Sequence, residues 1–439
     1  MHHCTYCDAQ SAKWSGRCDQ CGKWGTLIEQ EETVVPALKP LKNKAAAPTS
    51  ARLFDLEQTR RPERLSTGDP EVDRVLGGGL VPGSLTLISG EPGIGKSTLV
   101  TSLAGNISQK DKPVLYISGE ESAHQLAQRF SRLAASLEHI NFLEPYPIES
   151  LISAIEKEKP GLAIIDSVQT LNSLEMDSPA GSPNLVRYAT SLLLDLAKRT
   201  DIPILLIGQV TKDGSVAGPK MLEHLVDVVL SIEGDPQHLY RLLRASKNRF
   251  GSTDEVGVFA MTQNGLQAVA NPSARFLEER VNVPGSVITA LAEGSRVFLV
   301  EIQALVEKTA YGNPIRRASG FDQNRLQMLS AILSKHAGLK LGERDIYINV
   351  IGGLTVKEPA ADLAVCAAIL SAEKGVIGQA ATVLVGEVGL GGEIRSVPYL
   401  ERRLTEAQRF GLEHAIVPKH QKTPTKLEVK IVKTIKDLL

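Results

Sequence analysis

Short apolar runs alternate with helix-length segments through the middle of this chain. The runs SLTLISG, PVLYISGEE, LAIIDS and IPILLIGQ are separated by stretches long enough to form helices. Strands that are apolar along their whole length and alternate with helices are typical of a parallel sheet covered on both faces. The pattern therefore predicts an α/β domain with a parallel sheet over residues 53–270.

A second set of strands and helices follows. The runs SRVFLVEIQALV, DIYINVIGG, TVLVGEVG and HAIVP alternate with the helical segments NRLQMLSAILSKHAG, ADLAVCAAILSAEKG and YLERRLTEAQRFG. Because the chain has 439 residues, too many for one ordinary core, these segments predict a separate α/β domain over residues 280–439. Residues 31–52 are rich in Pro, Ala and charge without periodicity, which predicts a flexible linker.

Composition narrows the class of protein. Apolar residues make up 42% and charged residues 23%, as is normal for a soluble globular protein. The net charge of −1 excludes a global basic excess, so any contact with DNA must come from a local patch or from a ring of subunits. We find neither a run of bilayer-spanning length nor a signal peptide, which predicts a cytoplasmic protein without membrane contact.

Four cysteines cluster at the start of the chain as two CxxC pairs, separated by ten residues. Two such pairs can place four thiolates tetrahedrally around Zn²⁺. So short a segment cannot build a core, and metal binding would supply its folding free energy. Reduced cysteines or disulfides are the alternative. We predict a structural zinc ribbon over residues 1–30 with the ligands Cys4, Cys7, Cys18 and Cys21.

The string GEPGIGKST fits the P-loop pattern, with a predicted strand before it and a predicted helix after it. Its backbone N–H groups would face the phosphates of ATP or ADP, with Lys96 on the β- and γ-phosphates and the Ser97 hydroxyl on Mg²⁺. A chance glycine-rich turn is the alternative. The predicted nucleotide contacts are Gly90, Glu91, Pro92, Gly93, Ile94, Gly95, Lys96, Ser97 and Thr98.

Three further polar side chains follow apolar runs. Asp166 follows the four apolar residues of LAIIDS, where a carboxylate would hold Mg²⁺, although a strand-capping aspartate is the alternative. Glu120 follows another run and is predicted to orient and deprotonate the attacking water, with Glu121 as the alternative. The amide of Gln209, after LLIG, is predicted to sense the γ-phosphate.

The chain resembles the bacterial RadA (Sms) family. The resemblance rests on the CxxC ribbon with WSGRCDQCGKWGTL, on RLSTGDPEVDRVLGGGLVPGSLTLISGEPGIGKST, on YISGEES and on KNRFG, and it covers essentially the whole chain. It implies a RecA-like ATPase core and a C-terminal domain similar to that of Lon protease.

The resemblance also implies a function. Members are DNA-dependent ATPases of recombinational repair that form hexameric rings and promote branch migration on single-stranded and branched DNA together with RecA. By the same resemblance, Glu120 is the catalytic glutamate and Gln209 couples the nucleotide to two DNA-facing loops, NSLEMDSPAGSPNL and VTKDGSVAGPKM.

KNRFG contains two cations two residues apart, Lys247 and Arg249. In an extended segment both side chains point to one side, and the asparagine between them points to the other. If nucleotides lie at subunit boundaries, such a pair can stabilise the transition state in a neighbouring subunit. Two solvated cations at a hairpin end are the alternative, and a direct contact with DNA also stays open.

The C-terminal segment lacks the residues of a Lon-type protease. In VKEPAADLAV, Ala360 stands where that family has its serine, and YLERRLTEAQRFG has Arg402 and Arg403 but no lysine. An alanine has no nucleophile and an arginine stays protonated, so we predict a proteolytically inactive domain. The basic side chains of IRRASGFDQNR and SKHAGLK are predicted to line a ring, unless they are ordinary surface charges: Arg316, Arg317, Arg325, Lys335 and Lys340.

The sequence leaves two alternative functions to compare with DNA repair. An ATP-dependent protease would need the serine and lysine that are missing. A nucleotide-switch ATPase of the RecA/KaiC type, without DNA translocation, is the second alternative.

Overall fold

The structure is a computed structural model that describes residues 2–4, 10–11, 13–29, 63–208, 219–234, 240–277, 280–310, 312–352, 355–418 and 425–439. The predicted linker over residues 31–52, together with Cys7 and Gln209, lies outside the described residues.

The N-terminal ribbon is a small antiparallel sheet. Its three strands are β1 (His2–Cys4), β2 (Gln10–Ser11) and β3 (Leu27–Glu29), in the order β2-β1-β3. A sheet of this size buries few side chains, so it needs a further source of stability.

The P-loop domain is built on a nine-stranded sheet of order β12-β11-β10-β9-β4-β8-β7-β5-β6. The strands from β4 to β9 run parallel to one another and β10 to β12 extend the sheet in antiparallel fashion. The strands are β4 (Leu85–Gly90), β5 (Val114–Ser118), β6 (Ile140–Leu143), β7 (Leu162–Asp166), β8 (Ile204–Ile207), β9 (Val228–Glu233), β10 (Tyr240–Asn248), β11 (Val256–Thr262) and β12 (Gly265–Ala268).

Helices cover both faces of this sheet, as the uniformly apolar strands predicted. Alternate residues of each central strand join one of two buried clusters, so that Ile88 and Ile164 face one set of helices while Leu87 and Ile165 face the other. The helices are α1 (Pro70–Leu76), α2 (Lys96–Ile107), α3 (Ala123–Arg132), α4 (Ile148–Glu158), α5 (Pro183–Thr200) and the short α6 (Pro219–Leu222).

The hairpin β11–β12 packs on the start of α2. A Cβ at Gly95 would lie 2.9 Å from the Met261 methyl carbon and 3.1 Å from a Leu266 methyl carbon, and Gly95 has φ +112°. Only glycine combines this approach with this backbone conformation. The Asn-Gly pair in the string QNG, between these two strands, is a turn signal in the sequence.

The C-terminal domain has a seven-stranded sheet of order β15-β16-β14-β13-β17-β20-β21 and a separate pair, β18 and β19. Helices α8 and α9 pack on one buried cluster and α10 on the other. Its elements are α7 (Pro272–Leu277), β13 (Ser286–Glu293), β14 (Arg296–Lys308), β15 (Arg316–Ser319), α8 (Gln323–His336), β16 (Arg344–Val350), α9 (Asp362–Lys374), β17 (Thr382–Leu384), β18 (Glu387–Val388), β19 (Ile394–Arg395), α10 (Leu400–Arg409), β20 (His414–Val417) and β21 (Glu428–Ile431).

One predicted strand is divided in two. The run TVLVGEVG forms β17 in the large sheet and β18 in the small one, and the chain turns between them at Gly386. A Cβ at Gly386 would lie 2.9 Å from Ile394, and the Gly386 amide donates to the Ala360 carbonyl at 2.8 Å. A close approach of backbone, which periodicity does not reveal, separates the two strands.

The two domains are held together by buried charge as well as apolar contact. Glu71 of α1 is 2% exposed and accepts hydrogen bonds from Arg296 of β14 at 2.5 Å and from the Val258 amide at 3.0 Å. Arg244 of β10 pairs with Glu293 of β13 at 2.7 Å. Within the described part of the chain, no helix is long and apolar enough to cross a bilayer.

Candidate functional site

The glycine-rich turn lies between the end of β4 and the first residue of α2, as the P-loop pattern predicted. The Lys96 ammonium is buried and donates to the Gly90 and Glu91 carbonyls, at 2.9 and 3.0 Å. Burial lowers the pKa of Lys96, and the nearby carboxylates of Glu120 and Asp166 oppose that shift. The turn therefore brings one cation and two carboxylates to the same end of the sheet.

Asp166 lies at the end of β7, buried beside the turn. Its Oδ2 accepts a hydrogen bond from the Tyr116 hydroxyl at 3.1 Å, while its Oδ1 is buried without a hydrogen-bond partner. Burial raises the pKa of Asp166, Glu120 raises it further, and the hydroxyls of Tyr116 and Ser97 lower it. An unpartnered carboxylate oxygen beside a serine hydroxyl is a donor set that suits Mg²⁺.

The two glutamates after β5 differ in their surroundings. Glu121 is half-buried and forms an ion pair with Arg129, and its amide donates to the Ser118 hydroxyl at 3.0 Å. Glu120 is exposed, and its charge acts on both Lys96 and Asp166. Of the two, Glu120 is the one whose charge acts on the P-loop lysine and on Asp166, whereas Glu121 pairs with Arg129.

Strand β8 lies between β4 and β7, so its carboxyl end lies beside the P-loop. Gly208 donates to the Ile88 carbonyl at 2.9 Å. The next residue, Gln209, lies outside the described residues, as does most of VTKDGSVAGPKM.

In the ribbon, the sulfur atoms of Cys4, Cys18 and Cys21 lie within 4.8 Å of one another, and Cys4 Sγ is 3.7 Å from Cys21 Sγ. Four sulfurs placed tetrahedrally at about 2.3 Å from Zn²⁺ lie about 3.8 Å apart. These three thiolates fit zinc, and the predicted fourth ligand, Cys7, lies outside the described residues.

Both cations of KNRFG reach the segment before β9. Lys247 donates to the carbonyls of Glu223 and Val226 at 2.5 and 2.8 Å, and Arg249 pairs with the buried Asp227 at 3.1 Å. Burial lowers the pKa of Lys247, and the charge of Arg249 lowers it further. The cations share one side, as alternation predicted.

The asparagine and the phenylalanine of the motif fix its turn. Asn248 turns to the other side, where it donates to the Leu76 carbonyl at 3.4 Å and accepts from the Phe250 amide at 2.9 Å. Arg64 donates to the Leu76 and Phe250 carbonyls at 2.9 and 2.7 Å. Phe250 packs against the core.

The cation pair lies at the opposite end of β4 from the P-loop. Asp227, which holds Arg249, also accepts from the amide of Leu85, the first residue of β4, at 3.2 Å. The P-loop begins at Gly90, the last residue of that strand. At about 3.3 Å per residue the two ends are about 16 Å apart, so neither cation reaches the P-loop of its own chain.

An ion pair lies in the region where a Lon-type protease would have its serine and lysine. Arg403, 1% exposed, forms a bidentate pair with Glu358 at 2.6 and 2.7 Å, and Glu358 also accepts from the Ala292 amide at 2.7 Å. Ala360 lies in a buried cluster with Leu404 of the same helix as Arg403. The geometry supplies neither a nucleophile nor a neutral base at this position.

Two of the predicted ring-lining cations have internal partners instead. Arg325 forms a bidentate pair with the fully buried Asp362, and Arg316 donates to the Leu341 carbonyl at 2.7 Å and to the Arg344 carbonyl. Burial of Asp362 requires such a cation. Arg317, Lys335 and Lys340 are exposed, so only these fit the prediction. Cys366 is fully buried in the core, and burial raises the pKa of its thiol.

The sequence alone does not reveal two side chains that contact residues of the candidate site. Tyr116 is one residue of a buried strand and Asp227 precedes another, and nothing in the local pattern marks either of them. Their contacts with Asp166 and Arg249 come from the register of strands that are distant in sequence.

Comparison with known proteins gives three family matches along the chain. Residues 2–29 match a rubredoxin metal binding domain, residues 49–215 match an AAA domain, and residues 321–421 match subunit ChlI of Mg-chelatase. Among solved structures, the RadB recombinase is similar over 47% of this chain, with a TM-score of 0.38 and 24% identity.

Whole-chain relatives agree with one another. The DNA repair protein RadA of Aquifex aeolicus is 45% identical over 95% of this chain and 92% of its own length. Those of Halalkalibacterium halodurans and Bacillus subtilis are 42% and 44% identical, over 99% and 94% of this chain and 97% and 91% of their own lengths. Together with the P-loop site and the cysteine ribbon, this similarity shows that the chain belongs to the RadA family of DNA repair ATPases, with a RecA-like core.

Proposed function

We propose that this ATPase works as a hexameric ring in the cytoplasm, translocates on single-stranded and branched DNA, and promotes branch migration together with RecA. The observation that carries the ring is the position of Lys247 and Arg249. They lie about 16 Å from the P-loop of their own chain, and the Arg249 side chain is 49% exposed. A subunit boundary is the arrangement in which this half-exposed cation reaches a nucleotide.

Each residue has a defined role in the proposed site. Bound Mg²⁺–ATP supplies the reactive phosphoryl group and its charge neutralisation. Lys96 would exchange its two carbonyl partners for phosphate oxygens, and Ser97 with Asp166 would hold the metal. Glu120 orients the attacking water and takes its proton. Gln209 reports the γ-phosphate to the DNA-facing loops, and Lys247 with Arg249 of the adjacent subunit stabilises the charge that develops.

Mixing two inactive proteins tests the shared site. Lys96→Ala and Arg249→Ala subunits should each be nearly inactive alone, because arginine fingers contribute ~10³–10⁵ in rate. In mixed rings, an intact P-loop can face an intact Arg249, so ATP hydrolysis should return. The matched control replaces Lys96→Ala by the Lys96→Ala/Arg249→Ala double variant, which has no Arg249 guanidinium to offer to its neighbour. Equal rates in both mixtures, under conditions where mixed rings form, would refute the shared site.

The role of DNA is tested by the rate of ATP hydrolysis with and without single-stranded DNA at two salt concentrations. We expect stimulation that weakens as salt rises, because phosphate contacts release counterions. Absence of both binding and stimulation at low salt would favour the nucleotide-switch alternative.

The C-terminal domain is proposed to assemble the ring and contact DNA without cleaving peptides. The buried Arg403–Glu358 pair and Ala360 support this proposal, because a Lon-type reaction needs a serine activated by a lysine. Purified protein should leave casein intact in the presence of ATP, and casein degradation that survives removal of contaminating proteases would overturn the proposal.

A further inference from the structure

The two tryptophans of the chain are both in the N-terminal ribbon, and both are exposed. Trp14 is 65% exposed and Trp24 is 76% exposed. Tryptophan is on average one of the more buried residue types, because its indole carries a large apolar area. A small ribbon that keeps both indoles in water has aromatic surface available for a ligand.

The metal knuckle fixes the position of Trp24. The Cys18 amide donates to the Lys23 carbonyl at 2.9 Å, and Gly22 donates back to the Cys18 carbonyl at 2.8 Å. Arg17 pairs across the turn with Trp24 in antiparallel register, and its Nε donates to the Gly22 carbonyl at 2.8 Å. The indole and the guanidinium therefore stand side by side on one rigid turn.

Gly16, the residue before Arg17, leaves room for the ring of Trp24. A Cβ at Gly16 would lie 3.5 Å from the indole, and the Gly25 amide donates to the Gly16 carbonyl at 2.8 Å. The ring thus rests along backbone at one edge while most of its surface stays open to solvent. The exposed face of the indole can therefore stack against a planar ligand.

The charges around the two tryptophans indicate an anionic ligand. Between residues 13 and 26, three cationic side chains, Lys13, Arg17 and Lys23, are exposed and stand against one acidic residue, Asp19. The whole chain, by contrast, has a net charge of −1. Cations interleaved with exposed aromatic rings fit a strand that offers bases to stack and phosphates to pair.

We propose that Trp24, with Arg17 and Lys23 beside it, is a stacking platform for single-stranded DNA. One unpaired base lies on the Trp24 indole, and Arg17 and Lys23 pair with the flanking phosphates, while Lys13 and Trp14 extend the same surface. Stacking tolerates every base, so the platform carries no sequence preference. The proposal rests on the proposed function only in taking DNA as the ligand, and it assigns a DNA contact to the ribbon.

Tryptophan fluorescence reads this surface directly, because no tryptophan lies outside the ribbon. An oligo(dT) strand is titrated into the full-length, zinc-loaded protein, and fluorescence is recorded alongside the anisotropy of a dye-labelled strand. We expect saturable quenching that follows the anisotropy and weakens with salt. Trp24→Ala should remove most of the quenching and weaken binding about tenfold, which corresponds to about 1.4 kcal/mol and lies within the range for one stacked base.

Two further variants keep the test sharp. Trp24→Phe retains a ring and should bind more tightly than Trp24→Ala, and zinc content measured for each variant shows that the ribbon is intact. Tyr146→Ala, an exposed aromatic of the P-loop domain, is the matched control and should bind as the wild type does. Unquenched fluorescence while anisotropy rises, or wild-type affinity in zinc-loaded Trp24→Ala, would overturn the platform and leave the proposed function standing. Absence of any anisotropy change would overturn both.

Discussion

Asp227→Asn separates a positioning role of Asp227 from a merely structural one. One carboxylate oxygen of Asp227 accepts the Leu85 amide at 3.2 Å, and the other accepts Arg249 at 3.1 Å. An asparagine carbonyl can keep the bond to Leu85, but its amide group then faces the guanidinium of Arg249, donor against donor. The substitution therefore releases Arg249 and preserves the contact that holds β4.

The magnitude follows from the exposure of the pair. Asp227 is 4% exposed and Arg249 49% exposed on their side chains. A hydrogen bond to a charged group contributes about 1.5–3 kcal/mol, and solvent screening of the half-exposed partner places this one near 1.5 kcal/mol. Because 1.36 kcal/mol corresponds to a tenfold change in rate, we expect kcat for ATP hydrolysis to fall about tenfold in Asp227→Asn, with KM for ATP little changed.

A double-mutant cycle on kcat provides the check. In an Arg249→Ala background, which should itself lose ~10³ or more, Asp227→Asn should cost nothing further, because the group that it positions is gone. Equal losses from Asp227→Asn in both backgrounds would show that Asp227 only supports the fold. An unchanged kcat in the single variant would show that Arg249 acts without this anchor.

Three other predictions concern stability and metal. Burial raises the pKa of Asp166, so the ionised carboxylate destabilises the folded protein once the pH exceeds the pKa of about 3.9 that an aspartate has in the unfolded chain. In thermal melts at pH 7 without Mg²⁺, Asp166→Asn should therefore be more stable than the wild type, and this gain should vanish below about pH 4. Added Mg²⁺ should stabilise only the wild type. Glu71→Ala leaves Arg296 without its buried partner and should lower the free energy of unfolding by about 3–5 kcal/mol, or the melting temperature in calorimetry by ~6–20 °C. The control Arg199→Ala removes an exposed ion pair and should lower the free energy of unfolding by less than about 1 kcal/mol. Similar melting temperatures for the two variants would contradict the interdomain role of Glu71. Chelation of zinc should make residues 1–30 sensitive to limited proteolysis at the cysteine knuckles while the calorimetric transition of the P-loop domain stays in place, and a ribbon that resists protease without metal would refute its dependence on zinc.

The P-loop was predictable because its signal is local. Gly90, Gly95 and Lys96 stand at fixed spacing within a single turn, with a strand before them and a helix after them. Asp166 was predictable for the same reason, as the polar end of an apolar strand. A site formed by one short segment can be recognised from consecutive residues, without knowledge of the strand order.

Side chains whose partners come from elsewhere in the chain were not predictable in this way. Arg325 and Arg317 are both arginines in one short basic segment, yet Arg325 neutralises a buried aspartate that lies 37 positions further along the chain, whereas Arg317 is exposed. Asp227 gains its contacts only because β9 and β10 align beside β4. Sequence gives the charge of such residues, and strand register decides whether that charge faces a ligand or a partner in the core.

Strand β4 connects the two halves of the proposed shared site. Its last residue begins the P-loop, and its first residue is bonded to Asp227, which holds Arg249. Every residue of the strand is buried; Thr86, Leu87 and Ile88 pair with both β8 and β9, and the residues at either end pair with one of them, so the strand is held along its whole length. In the proposed ring, a shift of the P-loop upon nucleotide binding therefore changes the position of the cation that serves the neighbour. The coupling runs through one strand and one carboxylate, so Asp227→Asn should also reduce the cooperativity of ATP hydrolysis in mixed rings.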